Sequence, residues 1–370
     1  MKSEITEKFF SLLRYSIGEQ QVIPTMELDE WEAVNTMAME QSLTGVFYQG
    51  VSRLAREVKL PEEVTLTWYF QNEQIIEANK SMNTAAVKVL RKFRRAGYGC
   101  CLLKGQGNAL MYPHPSSRMP GDIDVWVNGP VRKLVGMAKK SSPECAAVYH
   151  HIDFPPIGDI SVEVHYRPSF ANNLIHNRRM QRWFLQMADK QCNNKVELPD
   201  GAGVICMPTD AFNRIYQMSH ISHHIFQEGI GLRQVLDYYY LLKRGVTTEQ
   251  RRDEEKLLRR FGLYGVAAAV MYILNEVFGM EKDQLLVPPD ERKGRFLLNE
   301  ILMAGNFGHY DKRLQNSTSR LSKNVQRLRR DLRFVTYFPS ECLWEPVFRW
   351  YNFFWRVWYN RILSYNKDEK

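Results

Sequence analysis

The sequence contains no uninterrupted apolar stretch long enough to cross a bilayer. Its first residues, Met-Lys-Ser-Glu-Ile-Thr-Glu-Lys, carry no hydrophobic signal core. A cytoplasmic protein is the expectation. Cysteine is sparse, with six in 370 residues and no C-x-x-C pair, so neither a zinc ribbon nor thioredoxin chemistry is indicated. Cys100 and Cys101 lie in an apolar run and read as packing residues. The G-x-x-x-x-G-K-[ST] order of a Walker A loop is missing too. What the chain has in quantity is core material. Hydrophobic residues make up 44% and aromatics 12%, a composition that folds rather than stays disordered and, at this length, fills two or three units.

The net charge of +9 is unevenly placed. Between Lys312 and Arg361 stand eleven Lys and Arg against three acids, so the basicity belongs to the C-terminal part. The same part holds an aromatic segment, Trp344 to Leu363, interrupted by Arg349, Arg356 and Arg361. Three readings of it stand: core packed on the helical body (the reading preferred), a helix lying peripherally on a membrane surface, or a surface that stacks on nucleic acid.

The most informative stretch is Arg118-Met-Pro-Gly-Asp-Ile-Asp-Val-Trp-Val127. Alternate residues of a strand share a face, so Asp122 and Asp124 project together while Ile123 and Val125 point the other way. Adjacent carboxylates repel unless a cation lies between them, which makes the pair a cradle for Mg²⁺ (or Mn²⁺). Upstream, the apolar run Cys100 to Leu103 reads as a buried strand ending in Lys104-Gly105-Gln106-Gly107. Glycine amides can approach an anion closely there, and Lys104 adds a cation. Downstream, Ile160-Ser-Val-Glu-Val-His-Tyr166 alternates, placing Glu163 and His165 on one strand face as a third carboxylate and its neighbour. Convergent oxygen ligands of this kind suit phosphoryl or nucleotidyl transfer.

In this order the residues Leu103-Lys104-Gly105, Tyr112-Pro113, Arg118, Asp122-Ile123-Asp124 and Glu163-Val164-His165 resemble the uncharacterised bacterial nucleotidyltransferase family of the polymerase-beta-like superfamily. A later segment fits as well, with His220, His223 and His224 followed by Leu232-Arg233-Gln234-Val235-Leu236-Asp237. The resemblance covers about residues 80–245 and implies an α+β fold, a small mixed β-sheet core flanked by large helical regions. It also implies an enzyme that moves a nucleoside monophosphate from an NTP to a hydroxyl acceptor. Asp122, Asp124 and Glu163 would be catalytic and metal-binding. Lys104, Gly105, Gly107 and Arg118 would hold the nucleotide. His165, His220, His224 and Arg233 would touch substrate. The acceptor expected is a small molecule or sugar, with nucleic acid a further possibility. One departure is the absence of the superfamily's Ser after the first strand, where Lys104-Gly105-Gln106-Gly107 stands instead. It keeps open a catalytically inactive nucleotide- or partner-binding protein. A glycosidase fits poorly, because two Asp on one strand face lie too close to flank a sugar bond.

Three regions are expected: helical 1–96, the α/β core 97–207 and helical 208–370. Amphipathic spacing marks helices over Ser3–Tyr15, Leu28–Met39 and Leu43–Arg56, and Pro61-Glu62-Glu63 opens a long one reaching Arg95. In the core, Val131–Lys140 reads as a helix, Ala146–His151 as a strand and Pro155-Pro156-Ile157-Gly158-Asp159 as a turn. His150 and His151 then fall at a strand end, where a loop or substrate-edge position is preferred over metal ligation. Thr209 is a candidate cap for a helix over Asp210–His224, on which His220 and His224 stand at i, i+4. Without the glutamate of H-E-x-x-H, cleft contact or packing explains them better than zinc. On the next helix, Leu232–Lys243, Arg233 and Asp237 are placed to pair at i, i+4. A basic helix is expected over Arg320–Arg333.

Overall fold

The computed structural model describes residues 2–23, 25–311, 313 and 320–365. Lys312, counted above among the basic residues, lies outside them, as do the side chains of 320–323 and of 360 onward, Arg361 included. Four helices come first: α1 (Lys2–Ser16), α2 (Leu28–Glu40), α3 (Thr44–Leu54) and α4 (Glu62–Arg95). Pro61 needs no amide partner at the start of α4, Glu62 and Glu63 sit at its positive end, and Lys92, Arg94 and Arg95 at its negative end. Gly97, at φ +84°, turns the chain out in the left-handed region. At 1.5 Å per residue α4 is roughly 50 Å long. Its inward residues recur every three or four positions, among them Trp68, Ile75, Asn79, Met82, Val89 and Phe93. Val64 and Trp68 belong to the large helical core, whereas Met82 to Phe93 belong to a second core formed with the sheet.

That sheet is mixed. β1 (Gly99–Leu102), β2 (Ile123–Asn128), β3 (His151–Ile157) and β4 (Ile160–His165) lie in the order β1-β2-β4-β3. β1 runs antiparallel to β2, β2 parallel to β4, and β4 antiparallel to β3. The short helix α5 (Gln106–Ala109) follows β1, and α6 (Val131–Ser141) connects β2 towards β3. Ile123, Val125, Val127, Val162 and Val164 face α4 and α6. On the other face Trp126 packs against Phe184 of α7 (Leu174–Asn193) and stacks on Phe212 of α8 (Asp210–Gln227). Between those helices, β5 (Lys195–Leu198) and β6 (Gly203–Cys206) form a separate hairpin. The fold is therefore α+β, a small mixed sheet flanked by helices.

One strand departs from expectation. The segment before His151 is irregular apart from an isolated bridge of Ala147 to Ile152, and β3 runs through Pro155-Pro156 to Ile157. β3 is an edge strand with a register irregularity between Phe154 and Ile157, where missing amide donors are tolerated. The turn is left to Gly158, at φ +59°, and Asp159.

The C-terminal half continues with α9 (Leu232–Lys243), α10 (Thr248–Arg260), α11 (Tyr264–Glu276), α12 (Glu291–Ala304), α13 (Arg320–Phe334) and α14 (Pro339–Tyr365). Thr209 occupies the N-cap position of α8 but makes no side-chain capping bond: its amide and hydroxyl both donate to Gln191 Oε1 of α7. The preferred core reading of the aromatic segment holds for one face only. Phe348 and Trp355 pack around Tyr149, yet Trp350, Phe353, Phe354 and Trp358 are each more than half exposed.

A buried ion pair fastens α9 to the loop before β2. Arg118 donates from Nε and the terminal Nη2 to the two Asp237 oxygens at 2.7 and 2.8 Å, and Tyr112 and Asn108 donate to the same carboxylate at 2.6 and 3.1 Å. This replaces the expected Arg233–Asp237 pairing. Arg233 instead donates to the carbonyls of Met119 and Pro120, since the forked Arg118 satisfies both carboxylate oxygens. Burial works to raise the Asp237 pKa, but the Arg118 charge and the hydrogen bonds from Arg118 and Tyr112 outweigh it and hold it below the usual range. Asp237→Asn leaves Arg118 buried without a counter-charge, and a loss of about 3–5 kcal/mol is expected near neutral pH. Because the folded pKa is depressed, the stabilisation is complete above the ordinary carboxylate value and vanishes as pH falls through the folded one. Urea denaturation midpoints of the two proteins should therefore converge on acidification.

Candidate active site

Strand pairing brings the sequence-marked carboxylates together. Asp124 and Glu163 are register partners across β2 and β4, and Trp126 and His165 are the next pair on the same face. His165 lies between the two acids, with Nε2 2.9 Å from Asp124 Oδ1 and 3.2 Å from Glu163 Oε2. Lys104, just past β1, places Nζ 3.0 Å from Asp124 Oδ2 and 3.9 Å from Asp122 Oδ1. Its backbone neighbour Leu103 donates to the Asp124 carbonyl at 2.9 Å, so β1 carries the lysine to the aspartates. Asp122 precedes β2 and keeps about a third of its side chain exposed, 35% against 1% for Asp124.

Charge is balanced locally. Burial disfavours the His165 imidazolium, but hydrogen bonds to Asp124 and Glu163 and their charges overcome it and push its pKa up to about 9. Burial also raises Glu163, yet the bond from His165 and the neighbouring imidazoles bring it down to about 2. Burial similarly opposes ionisation of Asp124, where Lys104 and His165 prevail and lower the pKa. Four neighbouring imidazoles behave oppositely. Burial takes His151 down to about 4, and carries His150, His220 and His223 well below their ordinary value.

These groups line a cavity of about 370 Å³. The sheet contributes Asp122, Asp124, Glu163, His150, His151 and His165, and α8 contributes His220, His223, His224 and Glu228. With His309, seven of the nine histidines of the chain border this one cleft. A small hollow adjoins it at Lys104, Asp122 and His220, and reaches Gly105, Arg118 and Arg233.

The expected site residues distribute as follows. His220 Nε2 is 3.3 Å from Lys104 Nζ, and the His224 ring meets His220 and lies 3.5 Å, Nδ1 to Oε2, from Glu228. Gly105 occupies the left-handed region at φ +62°, beside the Asp122 carbonyl. Gly107 is glycine for another reason. It is buried, its amide donates to the Lys104 carbonyl at 3.3 Å, and a Cβ there would stand 3.2 Å from Met207 Cβ. Arg118 borders the hollow while two of its nitrogens serve Asp237. Arg233 is buried over Gly121, has no carboxylate ion pair among the described residues, and leaves Nε without a hydrogen-bond partner. The sequence reading named His223 only within the family-like segment, passed over Glu228 and His309, and placed His150 and His151 at a strand end. The available signal was the His150-His151 doublet: once His151 opens β3, its partner across the sheet is His165.

In metal-free protein, imidazole-resolved NMR titration should find His165 protonated at pH 7.5 while His151 and His220 are neutral. A raised folded pKa means that His165 contributes its stability below the ordinary histidine value and loses it as pH climbs through about 9. His165→Gln should therefore cost most near pH 6 and least above pH 9 in urea denaturation.

A sequence profile described as "Uncharacterised nucleotidyltransferase" matches residues 27–278. No curated protein matches the chain. Among solved structures, an antigenic nucleotidyltransferase-like protein from Paracoccidioides brasiliensis aligns with a TM-score of 0.30 at 14% identity, over 49% of this chain and 88% of that one. A likeness that low carries no weight for the site.

Proposed function

The chain belongs to the uncharacterised nucleotidyltransferase family, and on that premise we propose that it moves a nucleoside monophosphate from an NTP to a hydroxyl acceptor with Mg²⁺ or Mn²⁺. The observation that carries this reading is the convergence of Asp124, Glu163 and His165, whose donor atoms lie within 4.8 Å of one another. Such a mixed oxygen and nitrogen set fits a divalent ion, with Asp122 supplying a further carboxylate at the cleft edge. A bound ion supplies charge opposite the triphosphate and favours ionisation of the attacking hydroxyl.

The chain's own side chains have distinct parts in this proposal. Lys104, now against Asp124 and Asp122, is within reach of phosphate at the mouth of the Gly105 turn. Arg233, a cation without a carboxylate ion pair among the described residues, faces the hollow beside Asp122 and would take phosphate oxygens. Arg118 acts through position, holding the loop that leads into Asp122 by its bond to Asp237. Gly107 keeps the turn close to Met207. His165 orients both acids, and His220 and His224 line the acceptor side. A cavity of about 370 Å³ suits a small molecule or a sugar hydroxyl.

A second reading, a nucleotide- or partner-binding protein without turnover, draws on one observation. Lys104 fills the space between the two aspartates at 3.0 and 3.9 Å, the place a cation would take. Thermal shift with Mn²⁺ and each NTP, together with pyrophosphate release in the presence of a sugar and hydroxyl-compound panel, separates the two. The enzyme reading expects a metal-dependent shift and release, with Asp124→Asn lowering turnover on the order of a hundredfold or more. A shift without release in any mixture supports the binding protein. Equal metal-dependent shifts in wild type and Asp124→Asn contradict the carboxylate assignment in both.

A further inference from the structure

Beside the carboxylates, five donor atoms run in an unbroken series. His150 Nε2 is 2.9 Å from His151 Nδ1, which is 3.4 Å from Glu163 Oε2. That oxygen is 3.2 Å from His165 Nε2, itself 2.9 Å from Asp124 Oδ1. Neighbouring ligands on an ion with bonds of about 2.0–2.2 Å stand about 2.8–3.1 Å apart in octahedral and about 3.3–3.6 Å apart in tetrahedral geometry, the range these contacts span. The nitrogens of His150, His151 and His165 also lie within 4.8 Å of one another. Three imidazoles with one or two carboxylates are not the donor set of Mg²⁺, which prefers oxygen and retained water.

The backbone holds these rings before any ion arrives. β3 pairing sets His151 opposite His165, and the His150 carbonyl accepts from the amides of Tyr166 and Arg167 at 3.0 and 3.1 Å. Asp153 stands 3.8 Å from the far nitrogen, Nε2, of His151, on the side from which carboxylates steer ligating imidazoles. Of this group, His165 and Asp124 are more than nine-tenths buried, and both border the 370 Å³ cavity. We propose that His150, His151 and His165 form a site for a transition-metal ion of the Zn²⁺ type, with Glu163 at its edge, adjoining the carboxylate site of Asp122 and Asp124. This deepens the function proposed above and rests on it for the double duty of His165, which stands in both donor sets, beside Glu163. It places an imidazole-held ion at the acceptor end of the cleft, where a substrate hydroxyl or carbonyl would meet it.

Co²⁺ added to the full metal-free chain is the probe. The expected result is one equivalent bound, with visible ligand-field bands more intense than those of the hydrated ion, displaced by Zn²⁺ and not by excess Mg²⁺. His150→Gln and His151→Gln should each weaken Co²⁺ binding at least about tenfold, while circular dichroism and thermal unfolding without metal stay as in wild type. Asp122→Asn should keep the bands. A wild-type spectrum identical to hydrated Co²⁺, which requires no variant to fold, overturns the proposal. So do bands that survive unchanged in both histidine variants. The two readings fail separately: bands without nucleotide shift or pyrophosphate release with any ion sink the transferase and leave this site standing.

Discussion

The parallel pairing of β2 with β4 is the constraint on which the site depends. It sets Asp124 opposite Glu163 and Trp126 opposite His165. A shift of either strand by one residue would turn its members of these pairs into the face now filled by Ile123, Val125, Val162 and Val164. That face is packed against α4 and α6, so the register is fixed by apolar burial rather than by the polar residues themselves. The core thus bears the cost of gathering acids that repel one another, and Lys104 and His165 offset the rest as local counter-charges.

The helices contribute the second wall. α8 presents its histidines across the cavity from the sheet, and its position follows from stacking of Phe212 on Trp126. α9 is anchored through Asp237 to Arg118, and it carries Arg233 to the loop beside Asp122. A buried ion pair of this kind adds little stability over an apolar contact, but it fixes orientation and is costly to break. Here it fixes the loop from which β2 departs. Asn79 of α4 donates to the carbonyls of Ser116 and Arg118 at 2.9 and 3.0 Å, so the same loop is held from both sides.

Much of this was legible in the sequence, because strand alternation and helix spacing are local. Asp122-Ile-Asp124 and Glu163-Val-His165 revealed their shared faces, and Pro61-Glu-Glu with Gly97 bounded α4. Two kinds of information were not local. Prolines 155 and 156 read as a turn because their lost amide donors are harmless only at a sheet edge, and edge position depends on the strand order. Arg233 read as the partner of Asp237, because helix spacing is visible while the tie to Arg118, 119 residues from Asp237, is not. The histidines followed the same rule. His150 and His151 carry no metal spacing along the chain, and meet His165 and Glu163 only once β3 pairs with β4.

The central claim is that Asp124 and Glu163 act on one ion together. Mn²⁺ affinity measured by electron paramagnetic resonance for wild type, Asp124→Asn, Glu163→Gln and the double variant tests it most directly. Strong coupling is expected, with the double variant binding little worse than either single one and an interaction energy above about 1 kcal/mol. Losses that simply add would mean that the two carboxylates hold no ion in common, and would contradict it.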